Sequence, residues 1–269
     1  MRERGVRVAV VQADAYRGRP DRNLERVVRY IAQGAKRDAS LVVFPEMYLT
    51  GYEVWPRLAA LSLPPGSPVL RTVAAEARRH RVSVLVGYPE RRPDGIYNAV
   101  APVTPDGSIL SPYRKIHLFG RERRYFRPGH RYRTVRLPGL TVGLLICYDL
   151  EFPESARTLA LAGADLIAVS TANMEPFRPA QEVYVRARAL ENQVFVALAN
   201  RVGTEGPSRF VGGSGVWDPS GTTLIQADGE ERVLVATVET GLIRKARRRF
   251  NYLSERRPET YRRLLTPAI

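Results

Sequence analysis

Short runs of β-branched and other apolar residues alternate along this chain with stretches that repeat their apolar residues every three or four positions. The first pattern predicts buried β-strands and the second predicts amphipathic helices. The predicted strands are Val6–Val11, Leu41–Phe44, Val82–Val86, Thr141–Ile146, Leu166–Ser170 and Val194–Ala199. The predicted helices cover residues 21–36, 69–77, 153–162 and 178–192. This alternation favours an α/β domain whose sheet faces are covered by helices.

Two further stretches carry turn signals that do not fit a simple alternation. Residues 97–113, with a turn at Asp106-Gly107, predict a β-hairpin, and residues 211–238 predict a run of hairpins. One doubly wound sheet does not need so many strands, so two packed mixed sheets flanked by helices fit better. No shift in composition marks a boundary. We therefore expect one domain over residues 1–269, with the polar, arginine-rich residues 239–269 as a C-terminal extension.

Bulk composition narrows the class of protein. The chain has 269 residues, 44% of them hydrophobic, which is enough for one large core. It contains no run of 18 apolar residues, and its first residues lack the apolar core of a signal peptide. Its single cysteine can form no internal disulfide and is too few for a cysteine-built metal site. These features predict a cytoplasmic protein that does not bind a membrane.

The net charge of +15 raises the question of a nucleic-acid or other acidic partner. Of the 42 basic residues 39 are arginine, and they are spread along the whole chain. The densest run, at residues 244–249, comes without a zinc finger, a helix-turn-helix or an RNA-binding glycine-aromatic box. The charge therefore favours an arginine-rich solvated surface over a nucleic-acid groove.

The only cysteine, Cys147, ends an apolar strand-like run and precedes a Phe-Pro-Glu segment that is typical of a helix start. Backbone N–H groups at such a junction favour a thiolate and can hold an oxyanion. Glu46 follows another predicted strand, and Lys115 lies at the end of the first hairpin. Together these groups can carry out acyl transfer through a thioester. The alternative interpretation of a lone cysteine is a small buried hydrophobic residue.

Three sequence blocks around these residues resemble the nitrilase, or carbon–nitrogen hydrolase, superfamily. They occur in the order of that family, as Phe44–Glu46, Tyr113–Leu118 and Gly143–Asp149. Within the superfamily the chain is most similar to bacterial ω-aminoamide amidases such as 5-aminopentanamidase. The resemblance implies a four-layer αββα sandwich that forms a homodimer or a higher homo-oligomer and uses no metal or organic cofactor. It also implies Glu46 as base, Lys115 as transition-state stabiliser and Cys147 as nucleophile.

The resemblance extends to a second glutamate and to the substrate pocket. Glu122 matches a glutamate that often follows the lysine in this family, where it would keep the lysine charged. Glu151 occupies a position that is commonly Arg in amidases for ω-carboxylated amides, so we expect a substrate with a cationic end. Alternatively, Glu151 only complements the following helix N-terminus. The other expected pocket residues are Tyr52, Tyr148, Asn173 and Met174.

Several alternatives stay open at this point. Nitrilases that act on nitriles typically carry Cys-Trp-Glu, so Cys147-Tyr148-Asp149 favours a small-molecule amide as substrate. An N-carbamoyl amine such as N-carbamoylputrescine is the nearest rival, because it also has a cationic end. His117 belongs to a family block, but the base there is a glutamate, so we expect a structural role. A basic scaffold or nucleic-acid-binding protein is the non-enzyme alternative, disfavoured because all three catalytic residue types are present.

Overall fold

The computed structural model describes residues 5–266. This part of the chain contains fourteen β-strands and six α-helices, joined by loops and short 3₁₀ turns. The strands are β1 (Val6–Gln12), β2 (Leu41–Val43), β3 (Ser83–Arg92), β4 (Gly95–Val103), β5 (Tyr113–Arg114), β6 (Arg133–Leu137), β7 (Leu140–Ile146), β8 (Leu166–Ser170), β9 (Phe195–Ala199), β10 (Thr204–Glu205), β11 (Ser208–Arg209), β12 (Gly215–Trp217), β13 (Thr223–Gln226) and β14 (Arg232–Val238). The helices are α1 (Pro20–Ala35), α2 (Leu58–Leu61), α3 (Pro68–His80), α4 (Pro153–Leu161), α5 (Arg178–Asn192) and α6 (Thr240–Arg249).

Two six-stranded mixed sheets form the centre of the molecule. The first has the order β14-β1-β2-β3-β4-β5, and the second has the order β13-β12-β9-β8-β7-β6. Strands β1, β2 and β3 run parallel in the first sheet, as do β7, β8 and β9 in the second. The remaining pairings within both sheets are antiparallel, which makes each sheet mixed.

Three apolar layers hold the sheets and helices together. Residues of both sheets interdigitate between them, for example Val10 and Val43 from the first and Leu144 and Phe195 from the second. A second layer lies between α1, α3 and the outer face of the first sheet, and a third lies between α4, α5 and the second sheet. This is the expected αββα sandwich, and the fold prediction is confirmed. Apolar burial on this scale is the main favourable term in folding.

The antiparallel regions differ from the sequence prediction in three places. The turn at Asp106-Gly107 does bring the chain back towards β4, but a longer hairpin joins β3 to β4 just before it and was not predicted. The β6–β7 hairpin was also missed. The prediction that residues 211–238 are all hairpins is partly wrong, because β14 crosses to the first sheet and pairs with β1. A turn signal marks a change of direction without specifying the sheet that receives the next strand.

The arginine-rich segment from residue 239 begins with a helix that packs on its own chain. Ile243 of α6 is buried in the layer between the sheets. Just after α6, the Gln193 side chain at the end of α5 donates to the Phe250 carbonyl and accepts from the Tyr252 amide. The division between a domain and an extension at residue 239 stays a prediction. No helix within residues 5–266 has both the length and the hydropathy needed to cross a membrane.

Candidate active site

The three predicted catalytic residues follow strands that lie in two different sheets. Glu46 comes shortly after β2 and Lys115 directly after β5, both in the first sheet, whereas Cys147 comes directly after β7 in the second. The Glu46 carboxylate accepts a hydrogen bond from the Ala172 amide, just beyond the end of β8. The carboxyl ends of parallel strands from both sheets therefore meet at one place, which is where open α/β sheets commonly place their sites.

The backbone around Glu46 is fixed by close packing. A side chain at Gly87 of β3 would collide with the Pro45 carbonyl oxygen and the Met47 amide, so only glycine lets the two segments approach. Met47 itself has a positive φ of 52°, which is unusual for a residue with a side chain. The segment is fully buried, and these constraints hold the Glu46 side chain in one direction.

Lys115 joins two buried carboxylates in one network. Its Nζ donates to Glu46 Oε1 at 2.8 Å and to Glu122 Oε1 at 2.9 Å, and the side chains of all three residues are fully buried. Asn98 Nδ2 donates to Glu46 Oε1 at 2.7 Å, and the Tyr52 hydroxyl donates to Glu122 Oε1 at 3.0 Å. Such a cluster is stable only when its charges are paired and hydrogen-bonded, as they are here.

The network sets the protonation of its members. Burial by itself would lower the pKa of Lys115, but Glu122 and Glu46 outweigh that effect and raise its pKa well above the ordinary value. Burial raises the pKa of Glu122 to about 7; Lys115 opposes that shift and Glu46 adds to it. Two carboxylates thus compete for one ammonium, and Glu122 retains its proton more readily than a free glutamate does.

Cys147 opens a 3₁₀ turn over residues 147–151 and has a φ of 46°. Non-glycine residues in this left-handed region store backbone strain and are often found at functional sites. The turn is held by the buried Asp149, whose carboxylate accepts from the Ile146 amide, the Tyr113 hydroxyl and the His117 amide. Sequence reasoning did not identify this structural role of Asp149.

Burial, reinforced by the Glu46 carboxylate, raises the pKa of the Cys147 thiol, while Lys115 and a hydrogen bond from Thr171 act in the opposite direction. Burial thus opposes the thiolate that the sequence reasoning expected the nearby backbone N–H groups to favour. A thiol with a raised pKa needs a base to become a nucleophile.

Of the five predicted pocket residues, two line a small cavity beside Cys147. They are Glu151 and Asn173, and the cavity is also lined by Leu150, Thr171, Gln181, Tyr184 and Leu198. Tyr52 is nearly buried and is bonded to Glu122. Tyr148 packs edge-on against Phe119 and Phe152, and Met174 packs on the apolar cluster around Tyr52.

Glu151 has an unusual environment for an acidic residue. Its backbone carbonyl accepts from Arg188 of α5, but its half-buried carboxylate makes no hydrogen bond or ion pair within residues 5–266. Burial raises the pKa of Glu151, and the more distant charges of Lys115 and Arg188 oppose this. A partly buried carboxylate that lines a cavity without a close partner is suited to bind a cation.

His117 contacts structural residues rather than the catalytic cluster. Its ring stacks on Phe152, with centroids 3.8 Å apart, and its Nδ1 lies 2.9 Å from Asp149 Oδ1. These contacts support the structural role that the sequence suggested.

Comparison with known proteins identifies the family. The pattern of the carbon–nitrogen hydrolases matches residues 7–248. The chain is 39% identical to an (R)-stereoselective amidase from Pseudomonas sp., over 94% of this chain and 92% of that protein. It is 38% identical to a nitrilase from Pyrococcus abyssi, over 95% and 99% of the two chains. The chain belongs to the carbon–nitrogen hydrolase, or nitrilase, superfamily.

Solved structures agree with this assignment. An amidase from Nesterenkonia sp. has a TM-score of 0.88 and 29% identity, with 98% of each chain covered. A structure of a glutamate-to-glutamine mutant of that amidase shows covalent addition of the acetamide moiety of fluoroacetamide at its active site cysteine. The present carbon–nitrogen hydrolase is thus an amidase of the nitrilase superfamily. A specific likeness to 5-aminopentanamidase stays a prediction.

Sequence reasoning missed Asn98, which belongs to the centre of this hydrolase site. Its side chain contacts Glu46 and, at 3.3 Å, Glu122, while its carbonyl accepts from the Lys115 amide. The residue lies inside β4, within the apolar stretch 95–103. Asparagine is disfavoured in strands, so a polar residue in such a run was the available signal.

Sequence reasoning also missed a buried ion pair that fixes the loop carrying Tyr52. Arg201 donates to Glu205 at 2.6 Å, and the same Glu205 oxygen accepts from the backbone amides of Tyr52 and Glu53. The pair connects indirectly to Glu122, because Tyr52 donates to that carboxylate. Within residues 5–266, no group of three or more His, Cys, Asp or Glu side chains is arranged to hold a metal ion.

Proposed function

We propose that this amidase uses Cys147 as a nucleophile to hydrolyse a small linear amide to a carboxylate and ammonia. The main support is the arrangement around Lys115, whose ammonium joins Glu46 and Glu122 near Cys147, a residue with a strained backbone and a thiol of raised pKa. The cysteine adduct in the Nesterenkonia amidase is consistent with the same chemistry. This proposal assigns a role to each buried charge at the site.

The first half of the reaction forms a thioester. Glu46 takes the thiol proton as the sulfur attacks the amide carbon, and the carbonyl oxygen gains the negative charge. Lys115 uses two of its three N–H donors on carboxylates, which leaves one for this oxyanion. The C–N bond then breaks, the proton held by Glu46 passes to the leaving nitrogen, and ammonia departs.

The second half consumes water. Glu46, again a carboxylate, removes a proton from a water molecule as its oxygen attacks the thioester carbon. The tetrahedral intermediate collapses with cleavage of the C–S bond, and the sulfur recovers its proton from Glu46. Glu122 accepts a hydrogen bond from Lys115 at 2.9 Å and holds the ammonium in position. No redox partner is needed, because the reaction is a hydrolysis.

Replacement of Cys147 by Ala tests the nucleophile, and replacement of Glu46 by Gln tests the base. We expect ammonia release from a set of small amides to fall by roughly a thousandfold or more in each variant, because each lacks a bond-making group. The measurement is a coupled ammonia assay on full-length protein, with circular dichroism to verify folding. The exposed Glu25→Gln variant serves as the matched control and keeps wild-type turnover.

Labelling by iodoacetamide gives an independent check, because Cys147 is the only cysteine. In the wild type we expect alkylation of Cys147 to inactivate the enzyme. An amide substrate that occupies the site should lower the rate of this alkylation. Folded Glu46→Gln should react more slowly at neutral pH, since it has no carboxylate to accept the thiol proton. A folded Cys147→Ala protein that still released ammonia at the wild-type rate would refute the mechanism.

We further propose that the substrate carries a cation at the end far from the amide, as a short ω-amino amide does. Glu151 supports this, since its carboxylate has no close partner within residues 5–266 and lines the cavity beside Cys147. Asn173 lies in the same cavity wall and is held by Gln181 through its Nδ2 at 3.1 Å. A bound ammonium would pair with the Glu151 carboxylate and offset the cost of its burial.

Replacement of Glu151 by Gln tests this preference at almost unchanged shape. We expect kcat/KM for 5-aminopentanamide to fall about tenfold relative to that for uncharged butyramide, because one charge-assisted contact is lost. Glu154→Gln, an exposed change in the same segment, is the control and affects neither substrate. Equal losses on both amides would show that Glu151 only supports the structure.

The same assay separates the nearest rival substrate class. N-Carbamoylputrescine also has a cationic end, so it is tested beside 5-aminopentanamide on the wild-type enzyme. A larger kcat/KM for the carbamoyl compound would reassign the substrate class and leave the cysteine mechanism intact. The cytoplasmic location expected from the unpaired cysteine stays a prediction.

A further inference from the structure

A second, larger cleft opens on the outer face of the first sheet, away from the catalytic cluster. Its volume is about 470 Å³, which lies in the range of small-molecule sites. It lies where the helix layer stops, between the beginning of α3 and the sheet edges that carry β5 and β6. Arg114 of β5 lines it, whereas the adjacent Tyr113 packs between the sheets and Lys115 enters the catalytic cluster. The two sites thus lie on opposite faces of one strand.

The cleft has an excess of positive charge. Its one carboxylate, Glu90, is almost fully buried and accepts two hydrogen bonds from Arg114, at 2.6 and 3.1 Å. Arg131 and Arg133 also line the cleft, and neither forms an ion pair or hydrogen bond through its side chain within residues 5–266. Two guanidinium groups are thus left for a ligand, whereas the neighbouring Arg92 lies 4.0 Å from Glu90 and pairs with it.

An accessible hydroxyl group is the second feature of the cleft that suits a ligand. Tyr88 lines the cleft and is only 2% exposed, yet its hydroxyl makes no hydrogen bond within the described residues. This hydroxyl is not among the fully buried polar atoms that lack a partner, so it reaches the surface of the cleft, where it can donate to a bound ligand. Burial, reinforced by Glu90, raises the pKa of Tyr88, so its hydroxyl is a hydrogen-bond donor at neutral pH.

The remaining wall is apolar. Leu70, Ile109, Leu110 and Pro112 contribute it from α3 and from the chain between β4 and β5. Arginine binds phosphate through paired N–H groups, and two free guanidinium groups suit a dianion better than a single carboxylate. We propose that this cleft binds a small organic phosphate, with its phosphate group on Arg131 and Arg133 and its apolar body on the hydrophobic wall.

Calorimetric titration of the full-length protein with phenyl phosphate tests the proposal. The probe combines a dianion with an apolar ring, whereas inorganic phosphate and benzoate each lack one of the required features. At a fixed salt concentration of about 0.15 M, which screens long-range attraction, we expect one site for phenyl phosphate and weaker binding of both comparison ligands. Prior alkylation of Cys147 should not change the affinity, which separates this site from the catalytic one.

Two variants locate the binding site. The double variant Arg131→Gln/Arg133→Gln should bind phenyl phosphate about tenfold or more weakly than the wild type, because two charge-assisted contacts are lost. Tyr88→Phe should weaken it about threefold through loss of one neutral hydrogen bond. The control is Arg22→Gln/Arg29→Gln, which removes the same charge from exposed positions of α1 and should leave binding unchanged.

The comparison of the two double variants decides the outcome. Equal losses would mean that the probe responds only to the overall positive charge, and the proposal would be overturned. Binding abolished by alkylation of Cys147 would place the probe in the catalytic site and overturn it as well. Neither result bears on amide hydrolysis, because the proposed cleft does not depend on the catalytic mechanism.

Discussion

At the scale of single residues, the site depends on how one ammonium is shared. Glu46 and Glu122 both bind Lys115 Nζ within 3 Å, and the cluster is sealed from solvent. Because one positive charge cannot fully compensate two negative ones in a dry site, one carboxyl group holds a proton more tightly. Burial, reinforced by Glu46, raises the pKa of Glu122 to about 7 against the opposing effect of Lys115, so Glu122 holds its proton more tightly than a free glutamate does.

This pKa shift predicts a pH-dependent contribution to stability. Native Glu122 has a pKa of about 7 against an ordinary value of 4.5, so the folded state binds its proton more tightly than the unfolded chain does. The contribution is fully present below pH 4.5 and is lost as the pH rises through about 7, by about 3 kcal/mol at most. Urea unfolding at several pH values measures this effect. The free energy of unfolding of Glu122→Gln should not show this decrease as the pH rises.

The comparison that matters is the difference between variant and wild type at each pH. Glu25→Gln, an exposed change, should follow the wild-type pH profile closely. If the Glu122→Gln variant lost stability between pH 5 and 8 as steeply as the wild type does, Glu122 would not be the group that retains the proton.

At the scale of elements, two loops that carry the chemistry are held by buried side chains from elsewhere in the chain. Asp149 ties the turn after Cys147 to Tyr113 of β5 and to the His117 backbone. The Arg201–Glu205 pair holds the loop that carries Tyr52. Irregular segments cannot satisfy their own backbone groups, so a buried loop needs such partners.

Removal of Arg201 tests how strongly the second loop depends on this pair. In Arg201→Met the Glu205 carboxylate stays buried without its counter-ion, and we expect the free energy of unfolding to fall by about 3–5 kcal/mol. The double variant Arg201→Met/Glu205→Gln removes both charges and should recover part of that loss. Urea unfolding of the single and double variants measures both effects.

The pair also predicts an effect on catalysis without direct contact with substrate. Any of these variants that remains folded should show a lower kcat and a shifted pH profile, because Tyr52 then holds Glu122 less firmly. A change in KM alone, with an unaltered pH profile, would contradict this positioning role.

At the scale of the whole molecule, the surface of α4 and α5 predicts self-association. Val183 and Leu190 lie seven positions apart in α5, which places them on one helix face, and they are 64% and 48% exposed. Leu161 at the end of α4 is exposed as well. A cluster of exposed apolar residues favours an interface, in agreement with the homodimer that the sequence suggested.

Sedimentation of the wild type and of Val183→Asp/Leu190→Asp tests this prediction. We expect the wild type to sediment with about twice the mass of the 30.2 kDa chain and the double variant with the mass of one chain. Leu224→Asp, at another exposed apolar position, is the control and should remain dimeric. A wild type that sediments as one chain at micromolar concentration would refute the dimer.

The sequence by itself determined the local features of this protein. The spacing of apolar residues predicted the parallel strands and the main helices, and the proline at position 153 predicted the start of α4. Both signals act over a few neighbouring residues, so they can be read from the sequence. Glu46, Lys115 and Cys147 were predicted from their chemistry and local blocks and Glu122 from the family resemblance, and the structure joins Lys115 to both glutamates. The family and the four-layer fold followed from those blocks and are confirmed.

Only the tertiary structure decided which distant residues meet. Asn98 and Arg201 belong to the site or its support through contacts across many residues, and β14 chose the first sheet instead of continuing the hairpins of the second. The raised pKa of the Cys147 thiol has the same origin, since burial and the nearby Glu46 cause it. Such contacts form between residues that are far apart in the sequence and meet only through packing. Patterns of residues along the chain reflect only the interactions between sequence neighbours.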